Sequence, residues 1–131
     1  MKEEFVTYSQ AVKLKELGFD WKVEYSYTDV IKESAREKWD EEECQWCTVY
    51  DINYYPKPRL DQAQKWLRDV KGIDIEPRVW LVGNKREYRP YVMPPKCKDY
   101  IACPPEESYE KALSSGINEA LELLTDKLNG K

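Results

Sequence analysis

The sequence predicts an α+β fold in which three main helices pack on one face of a mostly antiparallel sheet of about four strands. Amphipathic helical segments alternate with β-rich segments, and hairpin signals rather than crossover helices join the β-rich segments. A length of 131 residues fits one domain. We therefore assign residues 1–131 to a single domain, with variable insertions at about 29–43 and 94–107.

The first helix is predicted to begin after Thr7. Thr7 and Gln10 have capping-box spacing, in which each side chain can satisfy the other residue's backbone amide. Apolar residues then recur at helical spacing, and Gly18 stands where the pattern stops. Glycine adopts left-handed torsions without steric cost, so the helix should end there.

The region from residue 21 to residue 52 gives a less uniform pattern. Apolar and polar residues alternate over 21–28 and predict a strand, and 44–52 is β-rich and predicts a second one. Between them, Ile31, Ala35 and Trp39 recur at four-residue intervals, as in a helix. Four consecutive acids follow, which is unfavourable at a helix C-terminus. We expect an inserted helix or a loop over 29–43.

Proline and glycine divide the second half of the chain. The two prolines of residues 54–58 predict a rigid connector, and an amphipathic helix should follow from Leu60 to Gly72. Residues 73–82 and 86–93 form a predicted hairpin around Gly83-Asn84-Lys85.

Four further prolines predict an irregular segment over 94–105. The last helix should begin after Ser108, a good N-cap, because apolar residues then recur at helical spacing. Gly116 lies inside this helix, where glycine usually marks close packing against another backbone.

Three segments resemble a family of small uncharacterised proteins found in phages, prophages and genomes of anaerobic gut bacteria. They are residues 4–20 at the N-terminus, Pro58–Arg68 in the second helix and Ser108–Ala112 at the start of the last one. The matches cover about a third of the chain in the expected order, while 29–50 and 94–105 depart from the pattern. The resemblance implies a shared fold and a mobile-element setting, but no activity and no catalytic residues.

Composition excludes several classes of function. The chain has no histidine, which removes the commonest general base and metal ligand, and no glycine-rich phosphate loop. No stretch approaches the roughly 20 apolar residues of a membrane span, and no signal peptide is evident. We expect a cytoplasmic protein that does not bind membranes. The net charge of −4 argues against general nucleic-acid binding.

The four cysteines are the most prominent candidate site. Cys44 and Cys47 together with Cys97 and Cys103 could form a four-thiolate zinc site. In a strand, however, positions three apart point to opposite faces, and no helix follows to activate a redox pair. We predict ordinary thiols, no metal and no cofactor, with zinc and disulfide or redox chemistry as alternatives.

The predicted second hairpin combines cations with aromatic residues, as sheets that grip single-stranded nucleic acid do. The candidate nucleic-acid-binding residues are Arg78, Lys85, Arg86, Tyr88 and Arg89. The alternative is that Trp80 packs in the core and the arginines only keep an exposed strand soluble. We favour that alternative.

Acidic residues allow further alternatives, including a small carboxylate-based hydrolase and mimicry of DNA charge by residues 37–43. With 25 acids in the chain, carboxylate pairs are inevitable and uninformative. We expect a non-enzymatic binding or accessory protein of a phage or mobile element that acts through protein contacts. Its partner is an unidentified protein, and a homodimer is possible.

Overall fold

The computed structural model describes residues 4–95 and 99–128. The fold is α+β with three helices, as predicted, but the strands form two antiparallel sheets instead of one. In chain order the elements are α1 (Tyr8–Glu16), β1 (Ser26–Asp40), β2 (Gln45–Pro56), α2 (Leu60–Lys71), β3 (Asp74–Val82), β4 (Lys85–Met93), β5 (Ile101–Ala102) and α3 (Tyr109–Leu128). No helix in the described ranges is long and apolar enough to cross a bilayer.

The three-stranded sheet contains the hairpin that the sequence predicts. Strands β3 and β4 pair from Asp74 with Met93 to Val82 with Lys85, and Gly83 takes a positive φ of 64° in the turn. Strand β5 pairs with β4 on the other side. It lies in the segment predicted to be irregular, where two residues were too few to produce a strand pattern in the sequence.

The core lies between the helices and this sheet. Helix α3 contacts β3 and β4, α2 contacts α3 and β3, and α1 contacts α3 and β2. The largest fully buried apolar side chains are those of Trp66, Leu14, Leu67, Ile73, Ile117 and Leu121. They come from all three helices and from the residue before β3, so one continuous core joins the helices to the sheet.

Local signals in the helices are confirmed in detail. The Gln10 amide donates to Thr7 Oγ1 at 3.2 Å, and the Thr7 amide donates to Gln10 Oε1 at 2.8 Å. Gly72 ends α2 with a φ of 72°, and the Lys111 amide donates to Ser108 Oγ at the start of α3. The predicted caps Thr7 and Ser108 thus accept from backbone amides that the first turns of α1 and α3 leave open.

Gly116 allows the close packing that its position predicted, but its neighbours are side chains rather than backbone. An added Cβ would lie 2.5 Å from Ile75 Cγ2 and 3.4 Å from Pro90 Cβ. Real Cβ atoms do not approach that closely, so glycine sets the distance between α3 and the two strands.

Residues 29–43 correct the sequence analysis most strongly, because the expected helix or loop is wrong. Residues 29–40 belong to the long strand β1, which pairs with β2 in a two-stranded ribbon. The acidic run forms the ribbon's end turn, where Asp40 Oδ1 accepts from the amides of Glu42 and Glu43. The four-residue spacing of apolar side chains was therefore accidental, and Asp40 stabilises the turn through its side chain.

A bulge in β1 explains why the sequence of this strand does not show the alternation of apolar and polar residues that is typical of strands. The pairing register shifts between Ile31 and Arg36, so β1 carries extra residues against β2. Ser34 fills the irregularity: its Oγ donates to the Ile31 carbonyl at 2.6 Å and accepts from the Asp51 amide at 2.7 Å. An alternation of period two cannot continue through such a bulge.

Two neighbouring boundaries also differ from the predictions. Strand β1 begins at Ser26, and the preceding residues Trp21 and Val23 pack against the core without pairing. Strand β2 runs to Pro56, through the first part of the expected rigid connector. Proline is tolerated there because it is the last residue of a strand whose outer edge is free of another strand.

Candidate functional site

The ribbon of β1 and β2 has two unlike faces. One face, which we call the covered face, carries Tyr27 and Tyr55, and both of their rings contact Tyr8 of α1 in edge-to-face geometry. Tyr27 also donates its hydroxyl proton to the Val6 carbonyl at 2.7 Å. The base of the ribbon, where residues 26–28 pair with 54–56, is therefore fixed through the covered face to the rest of the protein. We call the three helices and the three-stranded sheet the body.

The opposite face carries the largest group of exposed apolar residues on the ribbon, and we call it the apolar face. Along β2, side chains alternate between faces, and the even-numbered positions 46–54 are all exposed. The pairing register adds residues of β1 opposite them. The apolar face consists of Val30, Trp39, Trp46, Tyr50, Ile52 and Tyr54, which are between 42% and 65% exposed.

The apolar face is large for the surface of a monomer. From Tyr54 to Trp46 it extends about 26 Å, at about 3.3 Å per residue. With roughly 150–250 Å² per aromatic side chain, the exposed parts of its six residues amount to about 600 Å². Patches of this size usually mark binding surfaces rather than ordinary solvent exposure.

Charge is distributed unevenly between this face and the end of the ribbon. Among the described, register-paired residues on the apolar side, Glu37 is the only charged one, and it accepts from Thr48 Oγ1 at 2.9 Å. At the far end, Asp40 and Glu41–Glu43 place four consecutive acids in the turn. The ribbon thus presents an apolar surface that ends in a strongly negative tip.

Two tryptophans shape the distal part of the apolar face. Trp39 and Trp46 are paired across the strands, with ring centroids 5.5 Å apart and an interplanar angle of 69°. Such edge-to-face pairs stabilise antiparallel strands. Because Trp46 is still 65% exposed, the pair holds the ribbon together and leaves much of one indole open to a partner.

The second hairpin separates the residues proposed to bind nucleic acid. The register of β3 and β4 places Arg78, Lys85 and Arg89 on one face and Arg86 and Tyr88 on the other. One ligand lying on a face of this hairpin therefore meets at most three of the five candidates.

Arg78 is also already engaged within the protein. Its guanidinium carbon lies 4.5 Å from the Tyr91 ring centroid and 4.9 Å from that of Tyr100. It bonds Glu76 at 3.3 Å, and this hydrogen bond raises the pKa of the guanidinium. Arg78 thus links β4 to the segment before β5.

The face that carries Arg78, Lys85 and Arg89 is balanced in charge. By the same register, Asp74, Glu76 and Glu87 lie on it too. On the other face, Arg86 shares a shallow groove with Glu106 and Glu107. Neither face forms the basic patch that phosphate binding requires.

The tip of this hairpin is exposed and apolar, but its apolar residues are split between faces. Val79 and Leu81 point to one face and Trp80 and Val82 to the other, and Leu81 is 74% exposed. The expectation that Trp80 packs in the core is wrong, because it lies beyond the part of the sheet that α3 covers. Each side offers two apolar residues, against six on the apolar face.

The structure does not bring the described cysteines together. Cys47 lies on β2, and Cys44 lies in the ribbon's turn with a positive φ of 52° rather than in the expected strand. Cys103 is buried in the core, where desolvation and then the charge of Glu119 raise the pKa of its thiol. Cys97 lies outside the described residues. Within the described ranges, no group of three or more histidine, cysteine or acidic residues is placed to hold a metal.

The apolar face was missed by the sequence analysis, although a signal for it was present. Trp46, Tyr50, Ile52 and Tyr54 occupy every even position from 46 to 54 except that of Thr48. Such alternation gives one apolar face per strand, but it does not show whether that face is covered. The face is exposed because the ribbon extends beyond the helices and no second layer of the described residues covers it.

Comparisons of the chain with protein-family models, with curated proteins and with solved structures found no match.

Proposed function

We propose that this protein is a non-enzymatic binding protein that contacts protein partners through the apolar face of its ribbon. The observation that carries the proposal is the exposure of six large apolar side chains on one side of a ribbon whose other side is attached to the body. About 600 Å² of exposed surface approaches the roughly 800 Å² that one partner contributes to a standard interface. Tyrosine and tryptophan dominate it, as they dominate binding hot spots.

Charge supports a protein partner over a nucleic acid. Residues 26–56 contain eight acids and three bases, so a polyanion approaching the ribbon is repelled. On the second hairpin, the three cations of one face are matched by three acids. Aromatic stacking on nucleic acid normally operates beside cations that neutralise phosphates, and neither hairpin offers them in excess.

The setting of this function stays a prediction. The resemblance to phage and prophage proteins implies an accessory role in a mobile element, and the sequence favours action in the cytoplasm. Both are compatible with a small protein that works by occupying a surface on another molecule.

Site-specific photocrosslinking in cells tests the proposal. A photoreactive amino acid replaces Trp46 on the apolar face, and a matched variant carries it in place of Lys38, which is exposed on the covered side of the same ribbon. We expect protein adducts from position 46 at least tenfold more abundant than those from position 38, because an interface excludes the opposite face.

Adducts mainly to nucleic acid, or equal adducts from the two positions, would contradict the proposal. A third variant at Leu81 reports on the exposed tip of the other hairpin. If it gave the dominant adducts, the binding surface would have to be moved there.

A further inference from the structure

We propose that the partner covering the apolar face is a second copy of this chain, with the two ribbons packed face to face and antiparallel about a two-fold axis at Tyr50. This inference rests on the proposed function, since it names the partner of the same surface. Three features of the described residues support it: the register of the apolar side chains, the acidic tip of the ribbon and the size of the face.

The spacing of apolar residues on β2 is symmetric about Tyr50. Tyr54 and Trp46 lie four residues away on either side, so a two-fold axis at Tyr50 places the Tyr54 of each copy opposite the Trp46 of the other. Ile52 then lies opposite the methyl-bearing Thr48, and Tyr50 meets its own copy. An isologous interface requires this kind of self-complementarity.

The acidic tip favours the antiparallel arrangement over the parallel one. Asp40 pairs with Gln45, five residues from Tyr50 along β2, and the acidic turn Glu41–Glu43 lies beyond that pair. Antiparallel packing therefore places the two acidic turns at opposite ends of the dimer, whereas parallel packing would bring them together.

The body of the protein leaves room for a second ribbon. Helix α1 contacts the ribbon from the covered face, through Tyr8 against Tyr27 and Tyr55. A second ribbon on the apolar face therefore meets no helix of the described chain. With about 600 Å² from each copy, the buried surface reaches the lower end of the standard range of 1,200–2,000 Å².

Sedimentation equilibrium with charged variants at Tyr50 tests the arrangement. Wild-type protein should sediment as a dimer at tens of micromolar, within the affinity range of such interfaces. Tyr50→Lys and Tyr50→Glu should each weaken self-association at least 100-fold, because a charge at the axis meets its own copy. An equimolar mixture of the two variants should restore a dimer, because opposite charges then meet.

Controls separate the ribbon from the rest of the surface. Tyr50→Phe should self-associate within threefold of wild type, and so should Leu81→Ser on the other hairpin. Trp46→Ser should weaken the dimer at least tenfold without a charge. Circular dichroism checks that each variant is folded.

A monomeric wild-type protein would overturn the inference, as would a dimer that both charged variants retain or charged variants that do not associate when mixed. The outcomes also separate this inference from the function on which it rests. Adducts from position 46 to a different protein, with a monomeric wild type, would leave the proposed function standing and remove the second copy as the partner.

Discussion

Trp66 and Trp46 show how differently the two halves of the molecule use the same side chain. Trp66 of α2 is 1% exposed and contacts Phe19 at a centroid distance of 5.3 Å. Trp46 of the ribbon is 65% exposed and contacts mainly its cross-strand partner Trp39. The body buries its aromatic surface to hold the fold, and the ribbon keeps its aromatic surface open, which is what binding to another molecule requires.

The matched tryptophans give the largest expected difference in stability. Trp66→Ala should lower the free energy of unfolding by about 3–5 kcal/mol, because it leaves a cavity in the core. Its indole Nε1 has no hydrogen-bond partner among the described residues, so the loss is one of packing. Trp46→Ala, measured on monomer at low concentration, should cost less than about 1 kcal/mol.

Chemical denaturation of both variants provides the measurement. A Trp66 variant that lost less than about 1 kcal/mol would show that α2 does not seal the core. A similar loss in both variants would remove the distinction between body and ribbon.

Substitution of Gln10 tests whether polar contacts also hold α1 and α3 together. Its side chain is fully buried, and Nε2 donates to the Ser114 carbonyl at 3.0 Å and to Asn118 Oδ1 at 2.8 Å. Gln10→Ala should cost about 3 kcal/mol, because it leaves buried acceptors unpaired between α1 and α3. Thr7→Ala is the matched control: it removes one half of the capping box and should cost about 1 kcal/mol. Equal losses would mean that capping accounts for the whole role of Gln10.

Substitution of Gly116 tests how closely α3 packs on the sheet. Gly116→Ala gains helix propensity of roughly 1 kcal/mol but forces its Cβ to within 2.5 Å of Ile75 Cγ2. Since overpacking typically costs 1–3 kcal/mol, we expect a net loss of about 1 kcal/mol in thermal or chemical unfolding. In an Ile75→Ala background, which removes Cγ2, Gly116→Ala should cost less than it does in wild type. A single variant more stable than wild type would contradict the packing.

Thiol reactivity compares ribbon and body without altering stability. In proteins that keep a single cysteine, Cys44 should react with a thiol reagent at pH 8 much faster than Cys103. Cys44 is exposed, while Cys103 is buried and burial raises its pKa, which lowers its thiolate fraction. Equal rates in the native protein would show that the core opens near β5.

Local signals made the body predictable from its sequence. The capping box of Thr7 and Gln10, the stop at Gly72 and the turn at Gly83 each act within a few residues, and each is present in the structure. The role of Gln10 in joining α1 to α3 was not predictable, since its acceptors lie more than 100 residues away along the chain.

The ribbon was harder to predict for two physical reasons. The bulge at Ser34 interrupts the alternation in β1, so chance spacing of Ile31, Ala35 and Trp39 resembled a helix. Alternation also shows that a strand has an apolar face but not what covers it. The exposed apolar face therefore emerged only once the helices could be placed on the other side.

Removal of the ribbon tests the division between the two regions most directly. Thr28 and Tyr54 are paired across the ribbon, so a two-residue Asn-Gly turn can replace residues 29–53 and join them. Tyr27 and Tyr55 keep their contacts with Tyr8 of α1 in this variant. Denaturation and sedimentation of this variant should show a folded monomer whose free energy of unfolding differs from that of monomeric wild type by less than about 1 kcal/mol. A variant that fails to fold, or that still dimerises, would contradict the account.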